Sequence, residues 1–226
     1  MYAELVCRSN FSFLRGASHP EELVATARRL GLSALAIADQ DGLYAAVKAH
    51  LAAKAAGIQL ILASRMTLLD GPEVVLYVQD ARGYQNLCGL ISESRLRHPK
   101  GEAGLCWRDV AARAQGLSAL LPFPDLPANV APLAEAFPGR FYVGLCRTLS
   151  SGDAARNTQA RRLSEALEVP LCAHNDVHYH SRRRQMLQDV ITAIRHQATV
   201  DRAGARLFPN AERALKRPEE MAKLFA

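Results

Sequence analysis

Short apolar runs of strand length alternate with longer stretches of helical pattern along most of the chain. Residues 4–7 read as an opening strand. Ser18, Pro20, Glu21 and Glu22 then mark a helix start, with a capping hydroxyl, a ring suited to the first turn and acids at the positive end of the dipole. That helix continues through Leu23, Val24, Ala27 and Leu30 and stops near Gly31. Residues 34–38 form an apolar run ending at Asp39, residues 44–56 an alanine-rich helix closed by Gly57, and residues 59–63 a further strand. A turn at Asp70, Gly71 and Pro72 sets off a strand over 74–79, and helical pattern resumes over 84–94.

Residues 95–106 are polar and predict an exposed loop, followed by a helix over 107–115 and a strand over 118–121. Pro122, Pro124 and Pro127 punctuate an irregular connection. A strand over 141–145, a helix over 154–167, a strand over 171–173 and a helix over 181–196 complete the pattern, with no internal repeat. Repeated strand–helix order predicts an α/β fold with a mainly parallel sheet, open or closed as a barrel. In both forms chemistry gathers beyond the carboxyl ends of strands, which directs attention to residues 6–10, 39–42 and 174–180.

Composition narrows the class. The 226 residues are 49% hydrophobic and 22% charged, a globular balance that argues against disorder. The most apolar early run, residues 32–38, is far short of a bilayer span, and the N-terminus lacks a basic segment followed by a signal-type apolar core. Five scattered cysteines with no CxxC pair fit reduced thiols, so a cytoplasmic location without membrane contact is expected. The net charge of +6 permits a nucleic-acid partner without requiring one. Arg182, Arg183 and Arg184 are candidates for phosphate contact, the bland alternative being a solvated helix end.

The densest candidate chemistry is His174-Asn175-Asp176-Val177-His178-Tyr179-His180. In an extended segment Asp176 and His178 point the same way, a carboxylate and imidazole able to bind Zn, Mn or Fe, and His174 and His180 share that parity. The alternative is a set of hydrogen bonds within a loop. Asp39 is the natural companion carboxylate, with a turn or helix-capping role as its alternative. Ser9 and Ser12 become nucleophiles only beside a base, and Cys172 reads as a buried strand thiol. There is no glycine-rich phosphate loop.

The opening from Tyr2 to Leu23, with Arg8-Ser9-Asn10-Phe11-Ser12-Phe13-Leu14-Arg15-Gly16-Ala17-Ser18-His19-Pro20 at its centre, resembles the start of the error-prone branch of bacterial C-family DNA polymerases, relatives of the polymerase III alpha subunit. Ala36-Ile37-Ala38-Asp39, Gly83-Tyr84-Gln85-Asn86-Leu87, Asn175-Asp176-Val177-His178-Tyr179, Leu207-Phe208-Pro209-Asn210-Ala211-Glu212-Arg213 and Pro218-Glu219-Glu220-Met221 continue the resemblance in order. The matching region is the polymerase and histidinol phosphatase (PHP) domain. The resemblance implies a distorted, TIM-like β/α barrel over residues 1–200, with 201–226 as the start of the connection to a polymerase core.

Active relatives bind a metal cluster and hydrolyse phosphoesters, and in some C-family polymerases the domain is a 3′–5′ proofreading exonuclease. This chain departs from their pattern. Val6 and Arg8 stand in place of a first-strand His-x-His pair, of which the error-prone branch commonly keeps the first histidine and carries arginine at the second. Gln40 replaces a histidine and Arg65 an acidic ligand, while Glu73 and Thr148 stand at two further histidine positions. Val6, Arg8, Gln40, Arg65 and Thr148 therefore read as lost metal positions. Asp39, Asp176 and His178 remain, enough for at most one Zn, Mn or Fe ion, and the expectation is of none. No catalytic residue is assigned. Arg8 and Arg65 are expected to lie near Asp39 and Asp176, replacing metal charge by ion pairs.

The resemblance implies a PHP domain of an error-prone polymerase active in replication and translesion repair, structural in role. Its expected partners are a polymerase core or other replication and repair proteins, and DNA. The alternatives are a residual metal-dependent phosphoesterase or 3′–5′ exonuclease using Asp39, Asp176 and His178, and a DNA-binding fragment acting through its charge.

Overall fold

The computed structural model describes residues 2–124 and 130–225; Pro127 and Ala226 lie outside the described residues. Seven strands pair in chain order. Strands β1 (Ala3–Cys7), β2 (Ala34–Gln40) and β3 (Gln59–Met66) run parallel. Strand β4 (Val74–Val78) is antiparallel to β3 and to β5 (Leu117–Leu121), after which β6 (Phe141–Cys146) and β7 (Leu171–His174) return to parallel pairing. The exception follows from the linker: the turn at Asp70-Gly71-Pro72 is too short for the crossover that parallel neighbours need.

The sheet curls into a nearly closed barrel. Beyond β7, Val177 bridges Cys7 in parallel, its N–H donating to Val6 O (2.7 Å) and its O accepting from Arg8 N (2.8 Å). Helices α1 (Pro20–Arg29), α2 (Ala46–Ala56), α3 (Ala81–Leu96), α4 (Trp107–Ala111), α5 (Ala131–Glu135) and α6 (Asp153–Leu167) occupy the connections between strands. After β7 come a 3-10 turn (Arg182–Arg184), α7 (Gln185–Arg195), α8 (Val200–Ala203), a second 3-10 turn (Gly204–Arg206) and α9 (Pro218–Phe225). Two apolar clusters lie between sheet and helices. A third contains only strand residues, among them Val6, Ala36, Ala38, Ala63, Val75 and Leu120, and fills the inside of the barrel.

Several expected boundaries shift for identifiable reasons. Strands β2 and β3 run on through Gln40 and Met66, because their polar ends, Asp39 and Arg65, stay buried at the barrel mouth. Helix α3 starts at Ala81, capped by Asp80, whose Oδ1 accepts from Gly83 N (2.8 Å), and it extends to Leu96. The expected exposed loop over 95–106 is corrected in part: Leu105 is fully buried, and its backbone bonds to Thr67 and Leu69. Helix α4 covers only the first part of residues 107–115, α5 is an unanticipated element, and the segment 181–196 opens as a 3-10 turn.

Glu4 on β1 is a buried carboxyl at the barrel seam. It accepts from Tyr2 Oη (2.7 Å), Val6 N (2.9 Å) and Asn175 N (3.1 Å), and so joins β1 to the chain leaving β7. Burial raises its pKa to about 7, against the opposing hydrogen bonds. A raised carboxyl pKa contributes stability that is complete below its unfolded value and is lost as pH rises through the folded value. Unfolding of wild type and Glu4→Gln, compared across pH, is therefore expected to show the wild type losing ground between pH 4.5 and about 7, by on the order of 3 kcal/mol, with a constant difference above.

Candidate functional site at the barrel mouth

The carboxyl ends of β1, β2 and β3, the loop before β4 and two segments after β7 converge at one end of the barrel. Asp176 sits at their centre, buried, with a left-handed backbone (φ 44°) that Asp tolerates better than most residues. Its Oδ1 accepts from Arg65 Nη2 (2.7 Å). Its Oδ2 accepts from Arg213 Nη1 and lies 3.3 Å from His178 Nε2. Burial alone would raise this carboxyl, but Arg213, Arg65 and His178 together hold it well below the usual range. Arg213 stacks over Phe208, 4.4 Å from the ring centroid, and Arg65 lies 5.9 Å from that of Phe123.

Arg65 also reaches Glu73 Oε2 through Nη1 (3.4 Å). Arg8 Nη2 stands 3.8 Å from the same oxygen, an ion-pair contact too long for a hydrogen bond. Among the described residues the Nε atoms of Arg8 and Arg65 have no partner. Burial, then the neighbouring Arg65, lowers Arg8 to about 9. Arg65 thus meets Asp176 directly, whereas Arg8 faces Glu73.

Asp39 is satisfied without a cation. Its oxygens accept from Ser9 N (2.8 Å), Ser9 Oγ (2.7 Å) and Ser12 Oγ (2.6 Å), tying the loop after β1 to β2. Burial raises its pKa, while these donors oppose the rise. Both hydroxyls are buried against the carboxylate, which leaves neither facing a substrate.

The other candidates are placed as follows. Val6 lies in the barrel interior. Gln40 Nε2 donates to Thr67 Oγ1 (2.9 Å), and Thr148 Oγ1 donates to Asp153 Oδ1 (3.3 Å) at the start of α6. Burial drops His174 to about 4; its Nε2 donates to Pro122 O (3.0 Å) and its Nδ1 accepts from Asp176 N (3.2 Å). A Cβ on Gly144 would come within 2.7 Å of both His174 Nε2 and Pro122 O, so the absent side chain permits this contact. Burial likewise lowers His178 to about 4, and its Nδ1 meets Arg15 O (2.6 Å). His180 Nδ1 meets Ser18 Oγ (2.8 Å), away from Asp176. Cys172 is half-buried, its thiol pushed up to about 11 by desolvation. Arg182 pairs with Glu212 (3.3 Å) and Arg184 with Glu22, while Arg183 is exposed.

Arg213 is the site residue that spacing does not reveal: it lies 37 positions from Asp176, and only its place in the Leu207–Arg213 motif singles it out.

The fold is a distorted, nearly closed β/α barrel with a charged mouth. The model of the PHP domain matches residues 4–150, and the chain belongs to that family. All of it aligns, at 48% identity over 239 residues, with an error-prone DNA polymerase from Anaeromyxobacter sp. (strain K), of which it spans 21% of the length. Among solved structures, a protein from Bifidobacterium adolescentis described as a metal-dependent phosphoesterase superposes with a TM-score of 0.58 at 14% identity, covering 78% of this chain and 87% of that one. Endonuclease Q, bound to a duplex with an abasic lesion, superposes with a TM-score of 0.53 at 12% identity, covering 78% of this chain and 49% of that one. These two likenesses establish the fold alone.

Removing the central carboxylate leaves two guanidiniums facing each other in a buried pocket. Asp176→Ala is therefore expected to cost about 3–5 kcal/mol of folding stability, read from denaturant midpoints, because an uncompensated buried charge is far worse than a missing pair.

Proposed function

We propose that this chain is the PHP domain of an error-prone, polymerase III alpha-like DNA polymerase, serving as a scaffold for the polymerase core rather than as a hydrolase. The observation that carries the reading is Asp176, whose two oxygens are bonded to Arg65 and Arg213. The residues present do not fit the metal cluster of active relatives. Asp39 has spent its oxygens on Ser9 and Ser12, and Arg8 adds a further buried positive charge. Among the described residues no three His, Cys, Asp or Glu side chains converge as a metal ion requires. A guanidinium supplies counter-charge and direction but no open coordination position to activate water.

The polymerase core, other replication and repair proteins, and DNA are the proposed partners, in the cytoplasm. No helix among the described residues is long and apolar enough to cross a membrane. Arg182 and Arg184 are already paired, so Arg183 is the freer of the three for a phosphate.

Elemental analysis after gentle purification, with a manganese-supplemented nuclease assay on single-stranded and duplex DNA, tests the scaffold reading. Substoichiometric metal and no cleavage are expected. Stoichiometric Zn, Mn or Fe with cleavage abolished by Asp176→Ala would establish the phosphoesterase or exonuclease alternative instead.

A further inference from the structure

Helix α7 packs Ile191 and Ala193 inward yet also presents an apolar stripe to water. Met186 (79%), Leu187 (42%), Val190 (43%) and Ile194 (56%) are exposed, whereas Gln188, Thr192 and Ala193 are buried. At helical spacing the four exposed side chains fall within an arc of about 100°. Beneath the helix, Gln188 Nε2 donates to Thr192 Oγ1 (3.2 Å), but Gln188 Oε1, Asp189 Oδ1 and Tyr179 Oη have no partner among the described residues. Packing against the barrel alone would favour apolar side chains in and polar ones out. The adjoining α8 adds the exposed Val200.

The stripe has a cationic rim. Arg183 and the Glu212-paired Arg182 stand exposed at its N-terminal end, and the half-buried Arg195 and exposed His196 at its C-terminal end. Burial, then Arg195, Arg206 and Arg15, lowers His196, so basic groups crowd that end. The single acid of α7, Asp189, is half-buried.

We propose that the exposed stripe of α7 is the docking face for the polymerase body, the part of the relatives' chain that follows the matched region, and that the contacting surface is an apolar patch flanked by carboxylates. The identity of this occupant rests on the reading of the chain as a polymerase domain. Two observations select it. The match covers only the N-terminal 21% of the relative, so about four-fifths of such a polymerase lies outside this structure and needs a surface to pack on. The basic groups at the two ends of the stripe, Arg183 at one and Arg195 at the other, call for an acidic complement around an apolar centre, the arrangement of a stable interface.

The test is a full-length chimera in which this chain replaces the matching N-terminal region of the Anaeromyxobacter polymerase. Peroxide oxidation of Met186 is followed by mass spectrometry in the chimera and in the free 226-residue chain. Oxidation about tenfold slower in the chimera is expected, since a packed interface excludes water and oxidant. Ile194→Asp should restore fast oxidation in the chimera, and Leu51→Asp, on the separate exposed face of α2, should not. Primer extension by the chimera is measured alongside. A chimera that extends primers while Met186 stays as reactive as in the free chain overturns the docking face alone. A chimera that fails to extend primers removes the polymerase reading, and the named occupant with it. A free chain that dimerises and protects Met186 assigns the face to a second copy and also overturns the proposal.

Discussion

Much of this structure turns on one carboxylate held between two guanidiniums. Asp176 gives one oxygen to Arg65 on β3 and the other to Arg213 on the segment returning after α8. Three stretches of chain, far apart in sequence, are thereby fixed to a single point at the barrel mouth. The pair is not a large source of stability, because desolvating three charged groups offsets much of their attraction. What it supplies is geometry. A guanidinium donates along fixed directions in one plane, so Arg65 can bond Asp176 with one terminal nitrogen while turning the other toward Glu73.

The two aspartates of the mouth reach satisfaction by opposite means. Asp176 stays ionised because cations surround it, and burial is outweighed. Asp39 bonds hydroxyls and an amide, with Arg8 as a weaker opposing charge, so burial prevails and its pKa rises. The two carboxylates thus sit in different electrostatic environments. Arg8 lacks a close acceptor, with Glu73 Oε2 at 3.8 Å, and burial followed by the neighbouring Arg65 lowers its pKa.

The outer scaffold was legible because it rests on local pattern. Apolar runs such as residues 34–38 read as strands of a buried sheet, and Pro20 with the acids after it placed α1, although its N-cap is His19: Ser18, expected there, gives its hydroxyl to His180. Asp39, Asp176 and His178 were legible as mouth residues because strand ends collect chemistry in this architecture. Arg65 was visible as an arginine where family relatives carry an acid, and it does meet a carboxylate. Arg8, expected beside it, attracts Asp176 and Asp39 from a distance but pairs with Glu73, and Arg213 supplies the second direct bond to Asp176. Nothing local signals this, because the Asp176–Arg213 contact depends on the whole path through α7 and α8. Helix α7 was legible as a helix, but the apolar stripe it turns to water was not, since periodicity reports that a face exists and not which way it turns.

The barrel is held chiefly by apolar contacts: two large clusters lie between sheet and helices, and Val6 belongs to the inner layer. The barrel has one weak place, the seam between β7 and β1, where a single bridge at Val177 stands in for a ladder. Glu4 and Asn175 lie along that seam, and Lys216 Nζ donates to Asn175 Oδ1 (2.8 Å). Asp176 is the next residue. The segment that carries Asp176 and His178 is therefore also the closure of this barrel. Beside that seam, the Asp176 ion pairs tie the closing segment across the mouth to Arg65 on β3 and to Arg213 on the return segment.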